Sequence, residues 1–306
     1  MLQINLKKNL PTIFLRLLVG FFFVISAILK LDVMDSFEIY IFSFGWFNLN
    51  NSFLFARLII SLELLIGVSI LIGAFTKQIS LLSIFVLLFF TVFIGYLYFS
   101  GNEEHCHCFG DKIELSHVTS IVKNIFLIVA LLLIYKKSTF KIRFQKFIFV
   151  ISLLICFVLP VSLSPPDSFY FKTEKKLTNY NSEYLQEFLD QNSSLQEGKR
   201  IISFFGTSCR YCKLATKKIK VIIEKSNQKN LFSYVFWGSE NSIQKFIDKT
   251  NSANLAYKIL EGTRFLKITN GKLPLILVLE NGKVKDSFGY RDINDNKIIE
   301  FIKKEE

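Results

Sequence analysis

The sequence predicts an all-α bundle of membrane helices followed by an α/β domain outside the bilayer. Three observations carry that reading. Hydrophobic residues make up 51% of the 306 positions, and they gather in long runs ahead of Ser164. After Ser164-Pro165-Pro166-Asp167 the pattern changes to short strand-like and helix-like segments in alternation, the order expected of a parallel α/β layer. At one strand-to-helix junction stand two cysteines in C-x-x-C spacing, Cys209 and Cys212.

A mean hydropathy of +0.38 is too high for an ordinary soluble chain. The formal net charge of +12 would suit a nucleic-acid binder, but much of it lies in short links between apolar runs, where it sets membrane topology instead. No nucleic-acid partner is expected. The five cysteines fall as one close pair, one singleton and the C-x-x-C, which is not the framework of a disulfide-stapled domain.

About 20 apolar residues span a bilayer. Five segments qualify: Leu10–Leu31, Ser52–Phe75, Gln78–Phe99, Val118–Tyr135 and Phe147–Leu163. The first follows Lys7 and Lys8 but is long for a signal peptide and lacks a small-x-small cleavage site, so it reads as a retained helix. Lys7, Lys8, Arg16, Lys77 and the cluster Lys136, Lys137, Lys141, Arg143, Lys146 mark one side of the membrane, whereas the Asp32–Asn51 loop has no Lys or Arg. The positive-inside rule puts the N-terminus in the cytoplasm. The loops after the first and third spans, and everything after Leu163, then face outward, where disulfide chemistry has substrates.

The apolar run Ile201–Phe205 reads as a buried strand ending at Gly206, and Lys213–Glu224 as a helix. Cysteines at that turn meet free backbone N–H groups and the positive end of the helix dipole, both of which favour thiolate. Cys209, nearest the terminus and beside Arg210, is expected to attack; Cys212, one turn in, is expected to resolve. A C-x-x-C can also be half of a zinc site, but no second ligand pair follows Cys212. Two inert core cysteines are the remaining option, and the strand-turn-helix context argues against it.

The loop after the third span carries His105-Cys106-His107-Cys108-Phe109-Gly110-Asp111. Two cysteines one residue apart close a disulfide only over a bent backbone, and such strained, exposed bonds are labile and oxidising. Two thiolates and two imidazoles in four positions could instead bind copper, although four consecutive residues rarely close a tetrahedral site. Both readings stay open. Glu63 falls near mid-membrane, where a carboxylate needs a partner or a proton. Lys123 and Asn124 lie about two turns in from the outer surface, and Lys123 is expected either beneath the Cys106/Cys108 loop or snorkelling to headgroups. Cys156 reads as a small apolar filler.

These residues resemble a known family. Arg16, Gly20, Ser26 and Lys30-Leu31-Asp32 in the first span, with Glu63, Gly67 and Gly73 in the second, are similar to the DoxX-like and methylamine-utilisation MauE four-helix membrane proteins. Cys106-His107-Cys108-Phe109-Gly110 is similar to that family's Cys-Gly-Cys-Phe-Gly loop, with His107 in place of the small Gly, and Lys123-Asn124 stands where Arg-Asn is common. The likeness covers roughly residues 5–135. It implies a role in disulfide formation or maturation of exported proteins with a thioredoxin-like partner, and leaves room for electron exchange with a quinone.

The C-x-x-C half resembles the thioredoxin superfamily over about residues 177–306. Helix Ser182–Asp190, strand Leu231–Trp237, helix Glu240–Thr250 and a closing helix Ile293–Lys303 surround the cysteine segment, while Ser252–Asn270 reads as helical insertions. Asn281-Gly282 between two strand-like runs signals a hairpin. The resemblance implies that Leu273–Pro274 is cis and sits against the cysteines. The usual Trp before the first cysteine is replaced by Ser208.

The domains expected are residues 1–140, a four-helix MauE/DoxX-like unit; 141–176, a fifth tethering span and linker; and 177–306, a thioredoxin-like domain. The whole reads as a membrane thiol–disulfide oxidoreductase. Cys209/Cys212 would exchange disulfides with exported proteins and with Cys106/Cys108, with Pro274, Lys123, Asn124 and Glu63 in support. The alternative is a copper-handling protein that binds metal through His105, Cys106, His107 and Cys108, its thiols kept reduced by the outer domain.

Overall fold

The computed structural model describes residues 6–100, 116–137, 144–167, 180–252 and 255–304. Among the described residues, five helices are long and apolar enough to cross a membrane: Leu10–Asp32, Leu49–Ile72, Thr76–Phe99, His117–Lys137 and Gln145–Leu163. They belong to α1 (Leu6–Asp32), α3 (Leu49–Ile72), α4 (Thr76–Phe99), α5 (His117–Lys137) and α6 (Gln145–Leu163). Long apolar segments become helices in a bilayer because only there does each backbone N–H find its carbonyl inside the same segment. Outward positions such as Phe85, Phe89 and Val92 remain apolar and exposed, as a lipid-facing surface requires.

One element was not foreseen. The Asp32–Asn51 stretch, expected as a plain loop, contains α2 (Met34–Ser43), and α3 starts at Leu49. Its apolar residues Phe37, Ile39, Ile41 and Phe42 are buried, so burial rather than intrinsic propensity makes this short segment helical.

Compact units do not follow chain order. One comprises Met1–Phe37 and Leu54–Pro165, the other Glu38–Phe53 and Pro166–Glu306. In the first, Val19, Phe23, Ile66, Ile70, Leu127 and Leu131 form a shared core. Gly20 and Gly67 let α1 and α3 touch: a Cβ on Gly67 would stand 2.9 Å from Gly20 O and from Val24 N.

The second unit is built on a five-stranded sheet. Its elements are α7 (Ser182–Asp190), β1 (Lys199–Gly206), α8 (Arg210–Ser226), β2 (Phe232–Trp237), α9 (Glu240–Thr250), β3 (Ala256–Ile259), α10 (Gly262–Thr269), β4 (Leu275–Glu280), β5 (Lys283–Phe288) and α11 (Asp295–Lys303). The strand order is β3-β2-β1-β4-β5. β1 runs parallel to β2 and antiparallel to β4, while β2 pairs β3 in parallel and β4 pairs β5 antiparallel. The central strand β1 reads Ile-Ile-Ser-Phe-Phe-Gly without alternation because helices cover both faces. Ile201, Phe205, Tyr234, Phe236 and Ile276 face α8 and α9 on one side; Ile202, Phe204, Val235 and Leu277 face α7 and α10 on the other. A β-α-β unit followed by an antiparallel hairpin and a closing helix is the thioredoxin-like arrangement.

The hairpin turns at Asn281 and Gly282, both at positive φ (48° and 73°), as a type I′ turn demands. The Ser252–Asn270 expectation needs correction. Among the described residues only α10 is helical there, and Ala256–Ile259 is an edge strand. All four of its residues are exposed, so the strand exists through backbone pairing with β2 rather than through an apolar pattern.

The same unit takes in Glu38–Phe53. Ile39, Phe42, Leu49 and Phe53 join the core that contains Ile219 and Ile222 of α8. Lys225 Nζ donates to Phe47 O at 2.6 Å and lies 4.0 Å from the Phe42 ring centre. Leu49 N donates to Asp295 Oδ1 at 3.3 Å.

Candidate active site

The cysteine turn begins where β1 ends. Thr207 N donates to Trp237 O, carrying the β1–β2 pairing one residue on, and Cys209 N then donates to Gly206 O at 3.1 Å, closing a tight turn. Cys209 becomes the N-cap of α8, with extended backbone, and its sulfur accepts from Cys212 N at 3.3 Å. An N-cap side chain normally offers oxygen to the free amides of the first turn; here sulfur does so. Cys212 is fully buried, whereas Cys209 is partly open.

This geometry separates the two thiols electrostatically. The Cys209 thiol is lowered to about 6, first by a hydrogen bond from the Cys212 thiol, then by the Cys212 and Tyr211 amides and the charge of Lys213, against an opposing push from burial. Arg210 was the cation the sequence pointed to; the contributing charge is that of Lys213. Burial, and the role of donor to Cys209, push the Cys212 thiol far up. One sulfur is therefore ionised at neutral pH and accessible, and the other is protonated and enclosed.

Opposite the turn, Leu273–Pro274 is cis, as the thioredoxin resemblance implies. Leu273 reaches the turn because residue 206 is glycine: a Cβ there would lie 3.1 Å from Leu273 Cδ1 and 3.7 Å from Cys209 Cβ. Tyr211, between the cysteines, packs against Tyr290 with ring centres 5.1 Å apart and planes tilted by 35°.

In the membrane unit, Glu63 has a partner that the sequence did not name. Lys30 Nζ donates to both Glu63 oxygens at 2.7 and 2.8 Å and to Ser26 Oγ at 2.8 Å, and Ser26 Oγ donates to Glu63 Oε2 at 3.3 Å. The i, i+4 spacing of Ser26 and Lys30 was the available signal. Arg16 donates to Ile70 O at 3.1 Å, capping the end of α3. Asn124 Nδ2 donates to Thr91 Oγ1 at 3.1 Å, and Lys123 Nζ lies 5.8 Å from the Phe22 ring centre. His105, Cys106, His107 and Cys108 lie outside the described residues. Cys156 is buried in α6. Lys218, also missed, is a buried lysine among the apolar positions Ala215, Ile219 and Ile222 of α8.

Residues 8–136 match the family model of the methylamine utilisation protein MauE. Protein TlpB of Flavobacterium psychrophilum is 24% identical over 345 residues, covering 92% of this chain and 92% of that one. Among solved structures, a secreted disulfide oxidoreductase of Mycobacterium tuberculosis, described as homologous to E. coli DsbE, is 13% identical. It covers 36% of this chain and 84% of its own, with a TM-score of 0.30. The strand order carries the fold assignment of the second unit without it. Of the two names the membrane half resembles, MauE is the one that the family match bears out. This multi-pass membrane protein thus joins, in one chain, a stretch that matches the MauE family model over residues 8–136 and a second unit with the thioredoxin-like strand order.

Proposed function

We propose that the chain is a membrane-bound thiol–disulfide oxidoreductase in which Cys209 exchanges disulfides with exported proteins. The observation that carries the reading is the N-cap position of Cys209, its sulfur accepting the Cys212 amide at 3.3 Å while Cys212 is enclosed behind it.

The reductive half-cycle balances without further reagents. The Cys209 thiolate attacks one sulfur of a substrate disulfide; that S–S bond breaks, a Cys209–substrate disulfide forms, and the leaving thiolate takes a proton from water. Cys212 then loses its proton and attacks the Cys209 sulfur. The Cys209–Cys212 disulfide forms, the second substrate thiol leaves, and the substrate has gained two electrons. The reverse sequence oxidises a substrate dithiol.

On this reading Cys106 and Cys108 exchange electrons with the Cys209/Cys212 pair, and the membrane domain offers an outlet to a quinone-type carrier. The distribution of Lys and Arg supports an N-terminus in the cytoplasm and both cysteine pairs on the outer face. Pro274 would stand against the mixed disulfide, and Lys123, Asn124 and Glu63 would support the membrane pair.

Trapping tests this. In cells expressing Cys212→Ser, acid quenching and alkylation should reveal Cys209 in mixed disulfides with exported proteins and with Cys106 or Cys108. A Cys209 recovered wholly as the free, alkylated thiol would reject the relay and shift the weight to metal binding by the His105–Cys108 loop.

A further inference from the structure

Lys218 is a buried cation on the helix that carries both cysteines, and the sulfur chemistry does not use it. It follows Tyr211 by two helical turns, so the two side chains lie on one face of α8. Both meet Tyr290, just beyond β5. The Tyr211 ring packs against it at a 35° tilt, while Lys218 Nζ sits 3.9 Å from the Tyr290 ring centre and donates to Tyr290 O at 3.2 Å. Asp167 Oδ2 supplies counter-charge at 3.5 Å, with Arg291 Nε 4.0 Å from Asp167 Oδ1. The Phe53 ring centre is 5.0 Å from Nζ.

A lysine enclosed in this way carries a desolvation cost that an apolar side chain of similar volume would avoid. What the ammonium adds is a two-point hold: one N–H on a backbone carbonyl and the cation on a ring face, which methionine could not supply. The residue held in this way backs Tyr211, the neighbour in the chain of Cys212, whose amide donates to the Cys209 sulfur at 3.3 Å.

We propose that Lys218 is a positioning residue for the redox pair: it grips Tyr290, seats that ring against Tyr211, and so fixes the first turn of α8, whose Cys212 amide donates to the Cys209 sulfur. The inference rests on Cys209 being the attacking sulfur.

The test is the pH dependence of Cys209 alkylation by iodoacetamide, followed by mass spectrometry on the reduced full-length protein in detergent. Lys218→Met, Tyr290→Leu and Tyr211→Ala are compared with the parent. Each should raise the Cys209 midpoint by about 0.5–1 unit, the effect of loosening one hydrogen bond to a thiolate. A rise in Lys218→Met alone would be a through-space charge effect and would overturn positioning, as would unchanged midpoints in all three. Tyr211→Ala alters an exposed side chain and removes no charge, so it reads the geometry even where Lys218→Met does not fold. If Cys209 of the parent titrates as an ordinary thiol, the reading of Cys209 itself falls, and this inference with it.

Discussion

Lys30 Nζ lies 2.7 Å from Glu63 Oε2 inside the membrane unit, linking α1 to α3 across 33 residues of sequence. Breaking such a buried pair from one side strands a charge, at a cost of about 3–5 kcal/mol, whereas replacing both partners by apolar residues can be neutral. Glu63→Leu and Lys30→Met should each lower the unfolding midpoint of the purified protein in detergent, and the double variant should recover most of the loss. A double variant as unstable as the sum of the singles would mean that the two residues are not energetically coupled.

Gly67 makes a second prediction. Its added Cβ would collide with backbone atoms, Gly20 O and Val24 N, which cannot rotate away. Gly67→Ala should separate α1 from α3 at a cost of about 1–3 kcal/mol, as overpacking does. Gly95, in α4, has nothing within 4 Å of its Cβ position, so Gly95→Ala should be neutral or slightly stabilising. Thermal denaturation in one detergent compares the two directly.

The acidity of Cys209 links stability to pH. Its folded value of about 6 lies below the ordinary thiol value of about 8.5, so the folded reduced state binds fewer protons than the unfolded one between those limits. The stabilisation is complete above the unfolded value and is lost as pH falls through the folded one. Reduced protein should therefore lose denaturant resistance between about pH 8.5 and 6, and Cys209→Ala should flatten that slope. Cys212, enclosed and protonated, should remain unalkylated across the range in folded protein.

A fourth prediction concerns the Glu38–Phe53 segment. Phe42 is fully buried in the core shared with α8, and Lys225 sits over its ring. Phe42→Ala, distant in sequence from the cysteine domain, should cost about 3–5 kcal/mol in that unit. Limited proteolysis should show faster cleavage among residues 180–304 of the full-length variant. Cleavage at the parental rate would mean that the segment does not stabilise the unit.

Elements whose backbone satisfies itself locally were legible in the chain. Each membrane helix closes its own hydrogen bonds, so length and apolarity suffice to place it. Asn281-Gly282 encodes its turn through the positive φ of both residues, and β1 declares its two-sided burial by apolar residues at consecutive positions, Ile201-Ile202 and Phe204-Phe205. The C-x-x-C turn was also legible, because the end of a strand and the start of a helix are both local signals. Edge strand β3 was not, since Ala-Tyr-Lys-Ile becomes a strand only beside the free edge of β2.

Sequence by itself determined five apolar helices, an α/β domain after them, and two cysteines at the mouth of a helix. The tertiary structure decided that Lys30 answers Glu63, that Lys218 grips Tyr290, and that Glu38–Phe53 belongs to the cysteine domain. Hydrogen-bonded helices and tight turns are fixed by neighbours a few positions away. A buried charge is fixed by whatever partner the fold brings within about 4 Å, and separation along the chain does not reveal which one that is.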